Sequence, residues 1–173
     1  GFVDKLNKVK EKLSGASLFC YQVKNPEDFG VVNFDSKRKI KGIEEKPKKA
    51  KSNWVATGLY SYDENISDIV SDIKPSLRGE IEISDVNMSY LKRDLLDAEL
   101  LGRGLAWLDA GSPDSLLDSS LFVRTIEERQ GLKIACLEEI AFSSGWINEK
   151  AIEEAIDYYK NSSYGKYLRS LFD

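Results

Sequence analysis

The sequence predicts an α/β fold, a mixed sheet flanked by helices, and three observations carry that prediction. Runs rich in β-branched and aromatic residues, such as Ala16 to Val23 and Val55 to Tyr62, suit strands. Elsewhere apolar residues recur at i, i+3, i+4 and i+7, as at Ile66, Ile69, Val70 and Ile73, the period of a helix with one buried face. The two kinds of segment alternate along the chain, with no internal repeat and no linker-like stretch.

Each element follows from local chemistry. Phe2, Leu6, Val9 and Leu13 fall at helical spacing, and Gly15 is placed to stop that helix. The chain opens on Gly1-Phe2-Val3-Asp4-Lys5, without the basic and apolar regions of a signal peptide. It is expected to start at or inside an amphipathic helix, with residues that belong upstream absent. After the strand from Ala16 to Val23, Asn25-Pro26-Glu27-Asp28 signals a turn. Gly30 to Phe34 and Ile40 to Glu45 read as two arms of a hairpin around Asp35-Ser36-Lys37. Val55 to Tyr62 is a strand in which Gly58 marks a bulge or a close backbone approach. Asp63 to Lys74 reads as a helix ended by Pro75, and Ser84 to Asp94 as a second helix capped by Ser84. Ala98 to Leu101 and Leu105 to Leu108 are expected to be short strands. Ser112-Pro113-Asp114 supplies a cap, a proline at the first helical position and an acid in the positive first turn. That helix is expected to run to about Arg129 and stop near Gly131, followed by a strand or an extended segment from Leu132 to Leu137. Asn148 caps a last helix striped with Ala151, Ile152, Ala155, Ile156 and Tyr159.

Composition narrows the function. At 173 residues the chain is one domain or part of a larger one, with 42% hydrophobic and 31% charged residues, which argues against disorder. No apolar stretch approaches the ~20 residues of a membrane-spanning helix. A net charge of −4 gives no reason to expect nucleic-acid or membrane binding. The absence of histidine removes a Ser–His–Asp triad, a His proton shuttle and His-ligated zinc. Cys20 and Cys136 form no CxxC pair, and buried free thiols in a reducing compartment are expected.

Four places could carry chemistry. Between Lys37 and Lys51 stand eight basic residues and two acids, so the window is +6 and the rest of the chain −10. A solvated hairpin accounts for most of these lysines, and a phosphate site would need one or two of them. Glu44-Glu45-Lys46-Pro47 closes a strand with a carboxylate beside an ammonium: the acid can accept hydrogen bonds from hydroxyls, and the lysine can neutralise a phosphate. Arg78, in a loop after Pro75, could fork onto a phosphate or simply face water. Asp109 stands between an apolar run and a glycine turn, where ligand sites open in α/β sheets. Two roles fit it equally: a ligand for Mg²⁺, which takes one or two carboxylates plus substrate phosphates, or a turn former.

In combination these segments resemble a known family. Phe29-Gly30-Val31-Val32, Glu44-Glu45-Lys46-Pro47, Lys51-Ser52-Asn53-Trp54, Thr57-Gly58-Leu59-Tyr60, Arg78-Gly79-Glu80-Ile81-Glu82-Ile83, Leu101-Gly102-Arg103-Gly104, Trp107-Leu108-Asp109 and Lys133 to Ala141 occur in this order. The set resembles the glucose-1-phosphate thymidylyltransferases, sugar nucleotidyltransferases of dTDP-L-rhamnose biosynthesis. The resemblance covers essentially the whole chain. It departs at Val55-Ala56, where the family tends to have Ala-Val, and at Ala110, where Thr is usual.

The resemblance implies the C-terminal part of a Rossmann-like nucleotidyltransferase fold. Residues 1–137 would be the sugar-phosphate-binding part and 138–173 a C-terminal helical extension. The family's glycine-rich G-G-x-G-T-R-L loop and its G-D-N segment, which bring the nucleotide and a second metal-ligating Asp, are not among these residues. The chain alone is therefore expected to be inactive. By the same resemblance Gly30 and Ala56 would give main-chain contacts to glucose and Glu45 would bind its hydroxyls. Lys46 and Arg78 would act on the sugar phosphate, Trp107 would wall the pocket, and Asp109 would bind Mg²⁺. The implied reaction joins glucose 1-phosphate and dTTP into dTDP-glucose and pyrophosphate, in the cytoplasm, in a homo-oligomer that is a tetramer in the family. A transferase for another sugar or base, or a non-catalytic sugar-phosphate-binding or assembly module, are the alternatives.

Overall fold

A computed structural model of the chain describes residues 1–12, 14–76 and 79–172. The chain divides into two compact units, Gly1–Trp107 and Leu108–Asp173. This division falls 30 residues earlier than the expected 137/138 boundary, because the sheet ends at Leu100 and all helices from Pro113 onward belong to the second unit.

The N-terminal unit runs α1 (Phe2–Lys10), β1 (Ala16–Gln22), β2 (Gly30–Phe34), β3 (Ile40–Glu45), β4 (Trp54–Tyr62), α2 (Ile66–Ser71), α3 (Ile83–Lys92) and β5 (Leu96–Leu100). The strands form one sheet in the order β3-β2-β4-β1-β5. β1 pairs in parallel with β5 and antiparallel with β4, and β2 pairs antiparallel with β3 and β4, so the sheet is mixed as the sequence predicts. The register of β1 against β4 shifts between Leu18 and Cys20, opposite Gly58 at φ +83°, the bulge foreshadowed by that glycine.

One face of the sheet carries the main core. Ala16, Leu18, Cys20, Val32 and Ile43 pack with Ile69 of α2 and Val86 and Tyr90 of α3. Complete burial of one such aliphatic side chain contributes roughly 1.5–3 kcal/mol. On the other face Val9 of α1 meets Phe19 and Leu101. Lys5 and Lys8 of α1 also clasp the buried carboxylate of Glu99 on β5.

Asp63 locks β4 to the start of β1. Its carboxylate accepts from the Gly15 amide at 2.7 Å, the Tyr90 hydroxyl at 2.8 Å and the Asn65 amide at 3.1 Å. Gly15 itself sits at φ +81°, and a Cβ there would lie 2.5 Å from the Leu95 carbonyl oxygen, so no other residue fits. The Gly15 amide, then the Tyr90 hydroxyl, hold the Asp63 carboxyl below its ordinary value of 3.8. A depressed folded value means that this contribution to stability is complete above 3.8 and is lost as pH falls through the lower folded value. Asp63→Asn is expected to lower the melting temperature at neutral pH and to flatten its decline in acid, read by thermal unfolding across pH. A variant curve parallel to the parent's would assign the acid lability to other groups.

The C-terminal unit holds α4 (Pro113–Gln130), α5 (Leu137–Ser143), α6 (Glu149–Tyr159) and α7 (Ser163–Ser170). Its core is Cys136, Ile152, Ile156, Tyr167 and Leu168. Ser112 caps α4 through the Ser115 amide and Gly131 ends it at φ +70°, as the sequence predicts. Asn148 caps α6 in the same way.

Several expectations are corrected. Leu105 to Leu108 is not a strand, because β5 stops at Leu100 and no strand continues beside it. Leu132 to Leu137 is not extended: Glu127 at the end of α4 takes the Ile134 amide and the Lys133 ammonium, Ala135 turns at φ +56°, and Leu137 starts a helix. The helix expected over Asp63 to Lys74 is only Ile66–Ser71, since Asp63 is committed to Gly15 and Tyr90. Ser84 is not a cap. α3 begins one residue before it, with Glu82 at the N-cap position, and the Ser84 hydroxyl is spent elsewhere. Both cysteines are free and buried, as expected.

Candidate active site

The site grows from the end of the β2–β3 hairpin. Gly30 opens β2 and pairs with Glu45, the last residue of β3. The next residue, Lys46, leaves the sheet with a left-handed backbone, φ +42°, and its amide donates to the Phe29 carbonyl at 3.1 Å. A lysine held in this conformation just before Pro47 is strained, and such strain concentrates at functional positions. The chain thus leaves the sheet at Lys46, directly after Glu45 ends β3.

Glu45 is fixed from two sides. The Ser84 hydroxyl, buried in the first turn of α3, donates to its Oε2 at 2.5 Å. Gly30 leaves room for that carboxylate. A Cβ built on Gly30 would lie 3.2 Å from Glu45 Oε2, 3.5 Å from Ser84 Oγ and 4.0 Å from the Ala56 Cβ. Gly30, Glu45 and Ala56, three residues singled out in the sequence, therefore meet at one point. A cavity of about 450 Å³ opens beside them, lined by Glu45, Lys46, Ser84, Asp85, Ser76 and Ile43. Lys46 is exposed at its rim.

Trp107 stands over the Phe29 side of the same hairpin end. Its ring meets Phe29 edge-on at 5.4 Å and Tyr21 at 6.0 Å, and its indole N–H donates to the Thr57 carbonyl at 3.2 Å. The indole thus holds the backbone at the β4 bulge.

Two further groups act on this corner beyond the site residues the sequence predicts. Ser84 reads as a helix cap, and only its burial against β3 shows its bond to Glu45. Tyr60 lies two residues beyond the bulge. Burial first, and then the Glu45 charge, raise its phenol above the ordinary value of 10.0. Its alternation with Ala56 and Gly58 was the one available hint.

Arg78 lies outside the described residues. Asp109 belongs to the C-terminal unit, in the turn that leads to α4. It is exposed: Oδ2 accepts from the Gly111 amide at 3.2 Å, and its carbonyl accepts from the Ser119 hydroxyl at 3.1 Å. Among the described residues no three acidic or thiol side chains gather as a metal site. Asp109 could offer Mg²⁺ one carboxylate oxygen, since Oδ1 has no hydrogen-bond partner among the described residues and this ion takes one or two carboxylates together with phosphates and water.

A mixed sheet thus presents, at one strand end, a cavity of about 450 Å³ with a carboxylate held by a hydroxyl and an adjacent lysine. The nucleotidyl transferase family model matches residues 1–126, and the chain belongs to that family. It is similar to glucose-1-phosphate thymidylyltransferases: 46% identical over 170 residues to that of Neisseria meningitidis serogroup A, covering 98% of this chain and 59% of the relative. The enzyme of Mycolicibacterium smegmatis is 49% identical over 163 residues, covering 94% and 57%. A Bacillus anthracis protein provisionally named for the same activity and solved with sucrose superposes with TM-score 0.60 at 40% identity, over 71% of this chain and 48% of that one. A UDP-glucose pyrophosphorylase solved with UDP-glucose shares the fold, with TM-score 0.62 at 23% identity. The chain thus spans less than 60% of the length of the curated relatives it matches.

Proposed function

We propose that this chain supplies the sugar-phosphate half of a glucose-1-phosphate thymidylyltransferase, which converts dTTP and glucose 1-phosphate into dTDP-glucose and pyrophosphate. The observation that carries the reading is the meeting of Gly30, Glu45 and Ala56 beside Lys46. Glu45 accepts from sugar hydroxyls with one oxygen while Ser84 holds the other. The main chain at Gly30 and Ala56 lies against the sugar ring, and Trp107 closes one wall. Lys46 and Arg78 neutralise the phosphate of the sugar.

A phosphate oxygen of the sugar then attacks the α-phosphorus in line, a P–O bond forms, and the bond to pyrophosphate breaks. Two polyanions must approach, so charge neutralisation is the main requirement. No general base is needed, because the phosphate monoester is already ionised at neutral pH. The lack of histidine is compatible with that chemistry. Asp109 would hold Mg²⁺ together with the nucleotide phosphates, where the ion supplies positive charge.

The proposal extends to the setting. The product, dTDP-glucose, would enter dTDP-L-rhamnose synthesis in the cytoplasm. No helix among the described residues is long and apolar enough to cross a membrane. A homotetramer is supported by α4, whose Leu116, Leu117 and Leu121 are each at least half exposed.

The test is glucose 1-phosphate binding. Gly30→Ala places a methyl 3.2 Å from Glu45 Oε2, so the carboxylate must give by a few tenths of an ångström against the Ser84 hydroxyl that holds it. A hydrogen bond to a charged group is worth about 1.5–3 kcal/mol, and misplacing the carboxylate that accepts from the sugar forfeits part of it, so affinity is expected to fall by up to roughly tenfold. Gly30 has no positive φ, so the strand should persist. Calorimetric titration with glucose 1-phosphate reads the affinity. Equal affinity in the variant would dissociate this corner from sugar binding.

A further inference from the structure

The terminal torsion of a glutamate is broad and roughly two-fold. Its two oxygens are therefore interchangeable until a group outside the side chain tells them apart. At Glu45 that group is Ser84, whose hydroxyl donates to Oε2 at 2.5 Å. Gly30 boxes the same oxygen, since a Cβ there would lie 3.2 Å from Oε2. Oε1 has no hydrogen-bond partner among the described residues, and Glu45 makes no ion pair among them. The side chain is half-buried on the wall of the 450 Å³ cavity. One oxygen is thus spent on the protein and one is left for a ligand.

The Ser84 hydroxyl is not where a helical serine usually puts it. Ser71 of α2 and Ser120 of α4 return theirs to carbonyls of their own helices at 2.9 and 2.8 Å. Ser84, buried in the first turn of α3, sends its hydroxyl across to β3. The helix that carries it is bolted to the sheet. Asn87 Oδ1 accepts from the Tyr62 hydroxyl at 2.8 Å, and the Tyr90 hydroxyl donates to Asp63 at 2.8 Å. The Ile43 amide, two residues before Glu45 on β3, donates to the Met88 sulfur at 3.4 Å. Val86 and Tyr90 lie in the core. The donor that orients Glu45 is therefore placed by packing rather than by a loop.

We propose that Ser84 is a positioning residue that sets the sugar selectivity of this site. By holding Oε2 it leaves Oε1 as the one acceptor, at a fixed direction, so a sugar is favoured only when a hydroxyl lies on that line. The proposal rests on the reading of Glu45 as an acceptor for sugar hydroxyls. Glu45 supplies the charge and Ser84 the direction. Without Ser84 the carboxylate keeps its charge but turns about its terminal bond, and either oxygen meets whichever hydroxyl is near. Loss of Ser84 therefore costs discrimination more than affinity.

The test is steady-state kinetics of the full-length enzyme with glucose 1-phosphate and a set of analogues that each lack one hydroxyl. In the parent, removing the hydroxyl that meets Glu45 is expected to lower kcat/KM at least about tenfold, the scale of a hydrogen bond to a charged group. Glu45→Ala should erase that penalty, which identifies the hydroxyl. Ser84→Ala should shrink the same penalty to about threefold or less, with KM for dTTP at the parent's value. Ser84→Thr keeps a hydroxyl and should keep the penalty. If Ser84→Ala does not fold, Ser84→Cys takes its place with the same expectation, since a thiol is only a weak donor. A penalty that Glu45→Ala erases and Ser84→Ala leaves whole overturns the role of Ser84 while sparing that of Glu45. Ser84→Thr as undiscriminating as Ser84→Ala also overturns it, because packing and not the hydroxyl would then matter. If no analogue's penalty responds to Glu45→Ala, the sugar reading itself falls and the inference falls with it.

Discussion

Lys46→Ala in the full-length enzyme is expected to lower kcat/KM for glucose 1-phosphate by roughly 10²–10³, the scale of losing one charged donor to a transition state. The same change at Lys48 or Lys49 should cost far less. Both are exposed in the loop beyond the hairpin, where charge acts only through a screened field. The left-handed backbone at Lys46 complicates the reading, because alanine is strained at φ +42° as lysine is. Lys46→Gly removes that strain along with the ammonium. If the ammonium is what matters, the glycine variant should be at least as stable as the parent and as slow as Lys46→Ala. Lys46→Arg should recover only part of the rate, since a wide planar fork replaces a compact charge. Steady-state kinetics with each substrate varied in turn, alongside thermal unfolding, separates these cases. Comparable small losses at Lys46, Lys48 and Lys49 would make the window a solvated charge run.

Much of this architecture is legible where chemistry is local. The Ser112-Pro113-Asp114 start and Gly131 stop of α4 are written in three or four consecutive side chains, and the helix follows them. Strands β1 to β4 are carried by β-branched and aromatic runs, and they lie within a residue of the expected bounds. What local pattern could not carry was competition for a side chain. Ser84 looks like a cap, yet a carboxylate from β3 takes its hydroxyl. Asp63 looks like a helix start, yet Gly15 and Tyr90 take its oxygens. Helices α5 and α7 escaped for a related reason. Cys136 stands at the N-cap of α5 without a side-chain capping bond, and α7 contains Gly165, where a Cβ would lie 2.5 Å from the Lys160 carbonyl oxygen. A residue that disfavours helix is required there by close approach to α6. At the site, Glu45-Lys46-Pro47 is weak by itself. That Gly30, Glu45 and Ala56 should converge follows from strand register, which no single segment of sequence specifies.

Asp109→Asn in the full-length enzyme is expected to leave the fold intact and to abolish most Mg²⁺-dependent turnover. The turn should survive because its one local bond, from the Gly111 amide to Oδ2 at 3.2 Å, needs only an acceptor, and the Asn side chain keeps one. Exposure of Asp109 also means that no core packing changes. What the amide cannot supply is negative charge for a hard cation. Lewis-acid neutralisation of transferring phosphates is worth several kcal/mol, so a loss of about 10²–10³ in rate is the expected scale. Raising Mg²⁺ should recover part of the rate if the variant binds the ion weakly, because the phosphates and water remain as ligands. Asp109→Glu is the control for geometry: it retains the charge but moves it by one methylene, and an intermediate rate is expected. Pyrophosphate release measured over a Mg²⁺ titration distinguishes the three proteins. An Asp109→Asn enzyme with the parent's rate and the parent's Mg²⁺ dependence would leave Asp109 with the turn before α4 as its entire role.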